Sequence, residues 1–124
     1  MISGIGIDMI ETGRLAKKIA GKNGFRGKVF SESEIKYCEK QKNKTENYAA
    51  RFAAKEALLK ALGESIFGKL VLSEMEIAND ASGKPHFIFK GTTARQILKR
   101  KISAIHVSLS HLKTIACAMV IIEQ

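Results

Sequence analysis

A chain of 124 residues, 45% of them hydrophobic, can build one core but is too short for two ordinary domains, so residues 1–124 are expected to form a single domain. Cys38 and Cys117 form no Cys-x-x-Cys pair, which argues against a zinc ribbon or disulfide scaffold and for a reduced, cytoplasmic protein; no apolar stretch approaches the ~20 residues of a membrane span, and no basic segment precedes the first apolar run, so no membrane attachment is expected. The net charge of +9 calls for an anionic partner without choosing among nucleic acid, membrane surface, acidic protein and phosphorylated ligand.

In chain order, Met1 to Ile10 reads as a strand with Ile5, Ile7 and Met9 on one side and Gly4, Gly6 and Asp8 on the other. Glu11 to Ala20 reads as a short helix with Leu15, Ala16 and Ile19 at helical spacing, Arg14, Lys17 and Lys18 forming a basic face, and Gly21 ending it. Ser31 followed by Glu34 is a capping-box pattern that opens a helix to about Lys40, after which Gln41 to Thr45 reads as a loop. The clearest element is a helix from about Glu46 to Leu62, closed by Gly63. Met75 to Ala78 and Pro85 to Phe89 read as a hairpin around the turn chemistry of Asn79 to Pro85, and Thr92 or Thr93 can cap a helix reaching Lys101. Ala104 to Ser110 and Thr114 to Ile122 read as two strands, the second so uniformly apolar that both its faces are expected to be buried. The expected whole is an α+β fold, a mainly antiparallel sheet packed against a long helix.

Several of these positions carry chemistry. Asp8 interrupts an apolar strand, where a buried carboxylate needs a cation or several donors; a metal ligand and a cap for the helix beginning near Glu11 fit equally well. Glu56 and Lys60 lie one turn apart on the long helix, a spacing that by itself describes an ordinary surface ion pair, and Arg51 and Lys55, also one turn apart, surround the carboxylate with further cations. If Asp8 and Glu56 meet, two carboxylates completed by phosphate oxygens and water make a site that Mg2+ prefers. His106-Val107-Ser108-Leu109-Ser110-His111 puts polar groups at a strand mouth, yet no Gly-x-Ser-x-Gly elbow supports a hydrolase, no complete dinucleotide fingerprint follows Gly4-x-Gly6, and no phosphate loop is present. A nucleic-acid module would draw on the charge and on Lys99-Arg100-Lys101, but aromatic residues are few and no recognition motif accompanies them.

Gly4-Ile5-Gly6-Ile7-Asp8, then Arg51-Phe52-Ala53-Ala54-Lys55-Glu56-Ala57 continuing to Lys60-Ala61-Leu62-Gly63, then Gly83-Lys84-Pro85 and finally His106 to His111 occur in this order along the whole chain. In this the sequence resembles the holo-acyl-carrier-protein synthase family of phosphopantetheinyl transferases. The resemblance implies transfer of 4'-phosphopantetheine from coenzyme A to a serine of apo acyl carrier protein, with Asp8 and Glu56 binding Mg2+. It places Arg51, Lys60 and His111 near the coenzyme A phosphates and the Gly83-Lys84-Pro85 turn near its adenine end. It also implies a homotrimer with sites between subunits, and an acidic carrier protein for the basic face of Arg14, Lys17 and Lys18. Lys60 is expected to steady the leaving phosphate, while Glu56 or a metal-bound water could take the serine proton. One departure stands out: the family continues from Gly63 with a small residue and a second glycine, where this chain has Glu64-Ser65.

Overall fold

The computed structural model describes residues 1–124, which run β1 (Ile2–Glu11), α1 (Thr12–Ala20), α2 (Phe25–Val29), α3 (Glu32–Glu39), α4 (Lys44–Leu62), a single 3-10 turn (Leu72–Glu74), β2 (Met75–Asn79), β3 (Pro85–Phe89), α5 (Gly91–Leu98), β4 (Ala104–His111) and β5 (Ile115–Glu123). Every strand pairing is antiparallel. One sheet has the order β1-β5-β4 and the other is the β2-β3 hairpin, so the α+β expectation holds with two small sheets rather than one.

The contact between β1 and α4 explains the opening Gly-x-Gly-x-Asp pattern. A Cβ on Gly6 would lie 1.9 Å from the Ala57 carbonyl oxygen, and one on Gly4 would lie 2.2 Å from that of Ala61. Backbone therefore meets backbone at van der Waals distance, which only glycine on the strand and small residues on the helix allow. Because β1 crosses α4 at this spacing, the next inward position on the strand, Asp8, arrives beside the middle of the helix and beside Glu56.

Helix α4 is buried almost all round, with Ala53, Ala54, Ala57 and Leu58 fully inaccessible and Phe52 nearly so. It is the axis of a core to which Leu15 of α1, Val120 and Ile122 of β5, and Met75 of β2 also belong. Even Lys55 is fully buried: its ammonium donates to Glu34 Oε1 at 2.6 Å, to the Val29 carbonyl at 2.7 Å and to the Leu72 carbonyl at 2.9 Å. All three ammonium protons are thus satisfied, which is what permits a charge at this depth. Burial nevertheless pulls the Lys55 ammonium below its ordinary range, while Glu34 opposes the shift. Arg51, one turn before Lys55, is also buried, its guanidinium stacked over the Tyr37 ring.

The capping box of α3 is complete, with Ser31 Oγ accepting from the Glu34 amide and Glu34 Oε1 accepting from the Ser31 amide. Gly63 closes α4 at φ 72°. Other expectations are corrected. α1 begins at Thr12 while Glu11 ends the strand, so Asp8 is too far away to cap it. α5 starts at Gly91 and stops at Leu98; Thr93 lies inside it, its hydroxyl accepting from the Val71 amide. α4 begins at Lys44, taking two residues of the anticipated loop. α2, only five residues long with Gly27 inside it, carries too few turns to show a helical period. Finally, β5 is not buried on both faces: Ala116, Ala118, Val120 and Ile122 face α4, whereas Ile115 and Met119 are exposed. As the central strand of a sheet with helices on one side only, β5 keeps its other face open within this chain.

Candidate functional site

Asp8 is 9% exposed, and its carboxylate has two unequal oxygens. Oδ1 accepts from the Lys60 ammonium at 3.1 Å, and the same ammonium donates to the Ile7 carbonyl at 3.0 Å. Oδ2 is buried and has no hydrogen-bond partner. An orphaned carboxylate oxygen at that depth is costly and asks for a cation or donor from outside the chain. Lys60 therefore pairs with Asp8 across the helix-strand contact rather than with Glu56 one turn before it, as helical spacing alone had suggested.

Glu56 stands next to this carboxylate. Burial, and then the charge and hydrogen bonding of Asp8, push its carboxyl up to about 7, with Lys60 and Lys18 pulling the other way. With the Asp8 carboxylate raising the proton affinity of Glu56, a divalent cation placed between the two would remove the repulsion. No group of three or more His, Cys, Asp or Glu side chains converges anywhere in the chain, so a cation held here would have two carboxyl groups from this chain and would draw its other donors from outside it. The donor set fits Mg2+ held together with phosphates.

Glu56 opens onto a cleft of about 580 Å³ lined also by Arg14, Lys18, Phe52, Met9 and Thr114, among others. Arg14 and Lys18 of α1 thus face the same space as Glu56, while Lys17 is exposed and does not line it. The Lys18 ammonium lies 5.7 Å from the ring centre of Phe25 and the same distance from that of Phe52, which holds it over the apolar floor.

The remaining expected residues lie elsewhere. Arg51 is 4% exposed, stacks over the Tyr37 ring at 4.3 Å, and leaves its buried Nε without a partner. It lines a separate cavity of about 210 Å³ with Tyr37, Ser33 and Asn79. Asn79 pairs with Pro85 across the hairpin, so the Gly83-Lys84-Pro85 turn lies next to this cavity. Asp80 shapes the turn by accepting from the Ser82 and Lys84 amides, and Gly83 takes φ 89°. His111 sits at the end of β4, its Nδ1 2.9 Å from Glu46 Oε1. Ser110, its neighbour on a strand, faces the other side, which removes the hydrolase pair. Within one chain the expected residues thus form three groups: Asp8, Glu56 and Lys60 near Arg14 and Lys18; Arg51 near the hairpin turn; and His111 with Glu46.

Glu64, the departure after Gly63, is ion-paired with Arg100, whose guanidinium also donates to the Leu62 carbonyl. Its charge is answered inside the chain. The sequence reading missed Glu46, for which no spacing rule exists because its partner is 65 residues away.

The chain matches the family model of the 4'-phosphopantetheinyl transferase superfamily over residues 4–120. It is 43% identical over 126 residues to the holo-[acyl-carrier-protein] synthase of Cytophaga hutchinsonii, covering 100% of this chain and 99% of that protein. It is 45% identical over 123 residues to that of Clostridium tetani, with 99% and 97% covered. The crystal structure of holo-[acyl-carrier-protein] synthase from Neisseria meningitidis superposes with a TM-score of 0.90 at 31% identity, covering 100% of both chains. The Bacillus anthracis enzyme, solved in complex with CoA (3',5'-ADP), superposes with a TM-score of 0.81 at 36% identity, covering 100% of this chain and 98% of that one.

Proposed function

The chain belongs to the 4'-phosphopantetheinyl transferase superfamily, and from that premise we propose how it works as a holo-[acyl-carrier-protein] synthase, transferring 4'-phosphopantetheine from coenzyme A to a serine of apo acyl carrier protein and releasing adenosine 3',5'-bisphosphate. The observation that carries the reading is the meeting of Asp8, with its unpartnered Oδ2, and Glu56, with its raised proton affinity, under the Lys60 ammonium.

Asp8 and Glu56 would hold Mg2+, which when bound supplies charge neutralisation and Lewis acidity at the pyrophosphate. Lys60 is tethered to Asp8 at one oxygen only and is more than half exposed, so its ammonium can swing to the leaving phosphate as charge builds there. The serine proton would go to Glu56 or to a water at the site, both within the same cluster of oxygen donors. Arg51, with a free buried Nε, and Lys84 and Pro85 at the hairpin turn are assigned to the distal end of coenzyme A, and His111 to its phosphates. Arg14, Lys17 and Lys18 form the docking face for an acidic carrier protein, with Arg14 and Lys18 at the cleft and Lys17 at its approach.

The three separate groups of residues support a site assembled between subunits. So does the open face of the three-stranded sheet, where Ile5, Ile7 and Met9 of β1 are 63%, 53% and 65% exposed beside Met119 of β5. An apolar face of this kind is a contact surface, and we assign it to a homotrimer. No helix is long and apolar enough to cross a membrane. The unpaired cysteines support a cytoplasmic setting, and the family match over most of the chain supports one transferase domain.

Mass spectrometry of apo acyl carrier protein incubated with this protein, coenzyme A and Mg2+ tests the reading. A phosphopantetheine mass gain is expected with the native chain and none with Asp8→Ala or Glu56→Ala, both variants remaining folded. Near-normal transfer by either variant across a magnesium titration would overturn the metal assignment.

A further inference from the structure

Glu46 lies in the first turn of α4, where the helix dipole favours a carboxylate, and such a residue commonly turns its oxygens back onto the free amides of that turn. Here it does not. Its carboxylate instead crosses to β4 and takes Nδ1 of His111 at 2.9 Å, with the Glu46 side chain 19% and the His111 side chain 32% exposed. A carboxylate accepts only, so the proton of this bond belongs to Nδ1. The bond fixes the rotation of the ring and leaves Nε2 as the nitrogen free for a ligand.

We propose that Glu46 is a positioning residue for recognition of the coenzyme A phosphates, holding the His111 ring by its Nδ1–H so that Nε2 faces the phosphate, with the carboxylate charge on the far side of the ring. The inference rests on the assignment of His111 to those phosphates. An imidazole with Nδ1–H already committed must gain a proton at Nε2 to donate to an anion, and the ring then sits between two anions, the Glu46 carboxylate and the phosphate. Removing the carboxylate charge weakens the donor even when the ring stays in place. Glu46 touches neither the Asp8–Glu56 pair nor the cleft beside it, so its effect should appear in coenzyme A binding and not in turnover.

The test is a double-mutant cycle of Glu46→Gln and His111→Ala, with kcat and KM measured separately for coenzyme A and for the carrier protein. Gln keeps the shape and can still accept from Nδ1, so the substitution removes charge alone. Glu46→Gln is expected to raise KM for coenzyme A about tenfold, the scale of a charge-assisted hydrogen bond, with kcat and the carrier-protein KM unchanged. In the His111→Ala background the same substitution should add nothing. The His111 ring-nitrogen resonances should also shift in Glu46→Gln. If His111→Ala leaves KM for coenzyme A unchanged, the assignment of His111 fails and the inference with it. If His111→Ala raises that KM while Glu46→Gln does not, or if the two effects multiply, the inference alone fails. Unchanged ring resonances, or equal loss toward both substrates, likewise overturn it.

Discussion

Two opposed requirements meet on Glu56. Its carboxyl must be charged to hold a cation, yet burial and Asp8 raise it from 4.5 to about 7. Between those values the folded chain binds a proton that the unfolded chain has released, so stability falls as pH rises. This contribution is fully present below 4.5 and lost once pH passes about 7. Two outcomes follow. In chelator, the melting temperature should drop as pH rises from 5 to 8 and the drop should be smaller in Glu56→Gln. Millimolar Mg2+ should restore the native protein at pH 8 and leave Glu56→Gln little changed; thermal melts across this grid check both. The residue scale was half legible beforehand. Asp8 was ambiguous between metal ligand and helix cap because the reading placed the helix start at Glu11. The strand running on to Glu11 removes the cap.

The pairing of β1 with α4 does at the scale of elements what no single residue can. Gly4 and Gly6 let the strand lie on Ala57 and Ala61, and this contact sets the distance from Asp8 to Glu56. Gly6→Ala is therefore expected to cost about 3 kcal/mol and to abolish transfer, because the strand must lift away from the helix backbone. Gly13→Ala, where a new Cβ meets nothing within 4 Å on a helix, is the matched control and should be neutral or slightly stabilising, with activity kept. Urea unfolding and the mass-gain assay read both. The helices and strands themselves were largely legible, since α3 carries its capping box and α4 its glycine stop. The exceptions were elements whose signal is short or shared: α2 with its internal Gly27, and α5, whose start depends on Thr93 being occupied by Val71 and Glu74.

For the whole molecule, the decisive feature is a sheet with one covered face. The outer side of β1 and β5 presents Ile7 directly opposite Met119, beside exposed Ile5 and Met9. In a site shared between subunits, charge placed here should separate the subunits and silence the enzyme together. Ile7→Lys combined with Met119→Lys is expected to give a folded monomer in analytical ultracentrifugation with transfer reduced by at least about a hundredfold. An active monomer at assay concentration would refute the shared site.

By itself the sequence determined the family, the α+β class and the identity of the chemical groups. Glycine spacing, a capping box, a helix stop and the Glu56–Lys60 block are local signals, set by backbone geometry over a few residues. Only the tertiary structure decided which groups face one another. It gave Lys60 to Asp8 rather than to Glu56, His111 to Glu46, and Glu64 to Arg100, and it left β5 open on one side. Each of these depends on contacts between segments far apart in the chain. Periodicity assigns a side chain to a face of its own element, but the partner of that face is set by how backbones such as Gly6 and Ala57 come into contact.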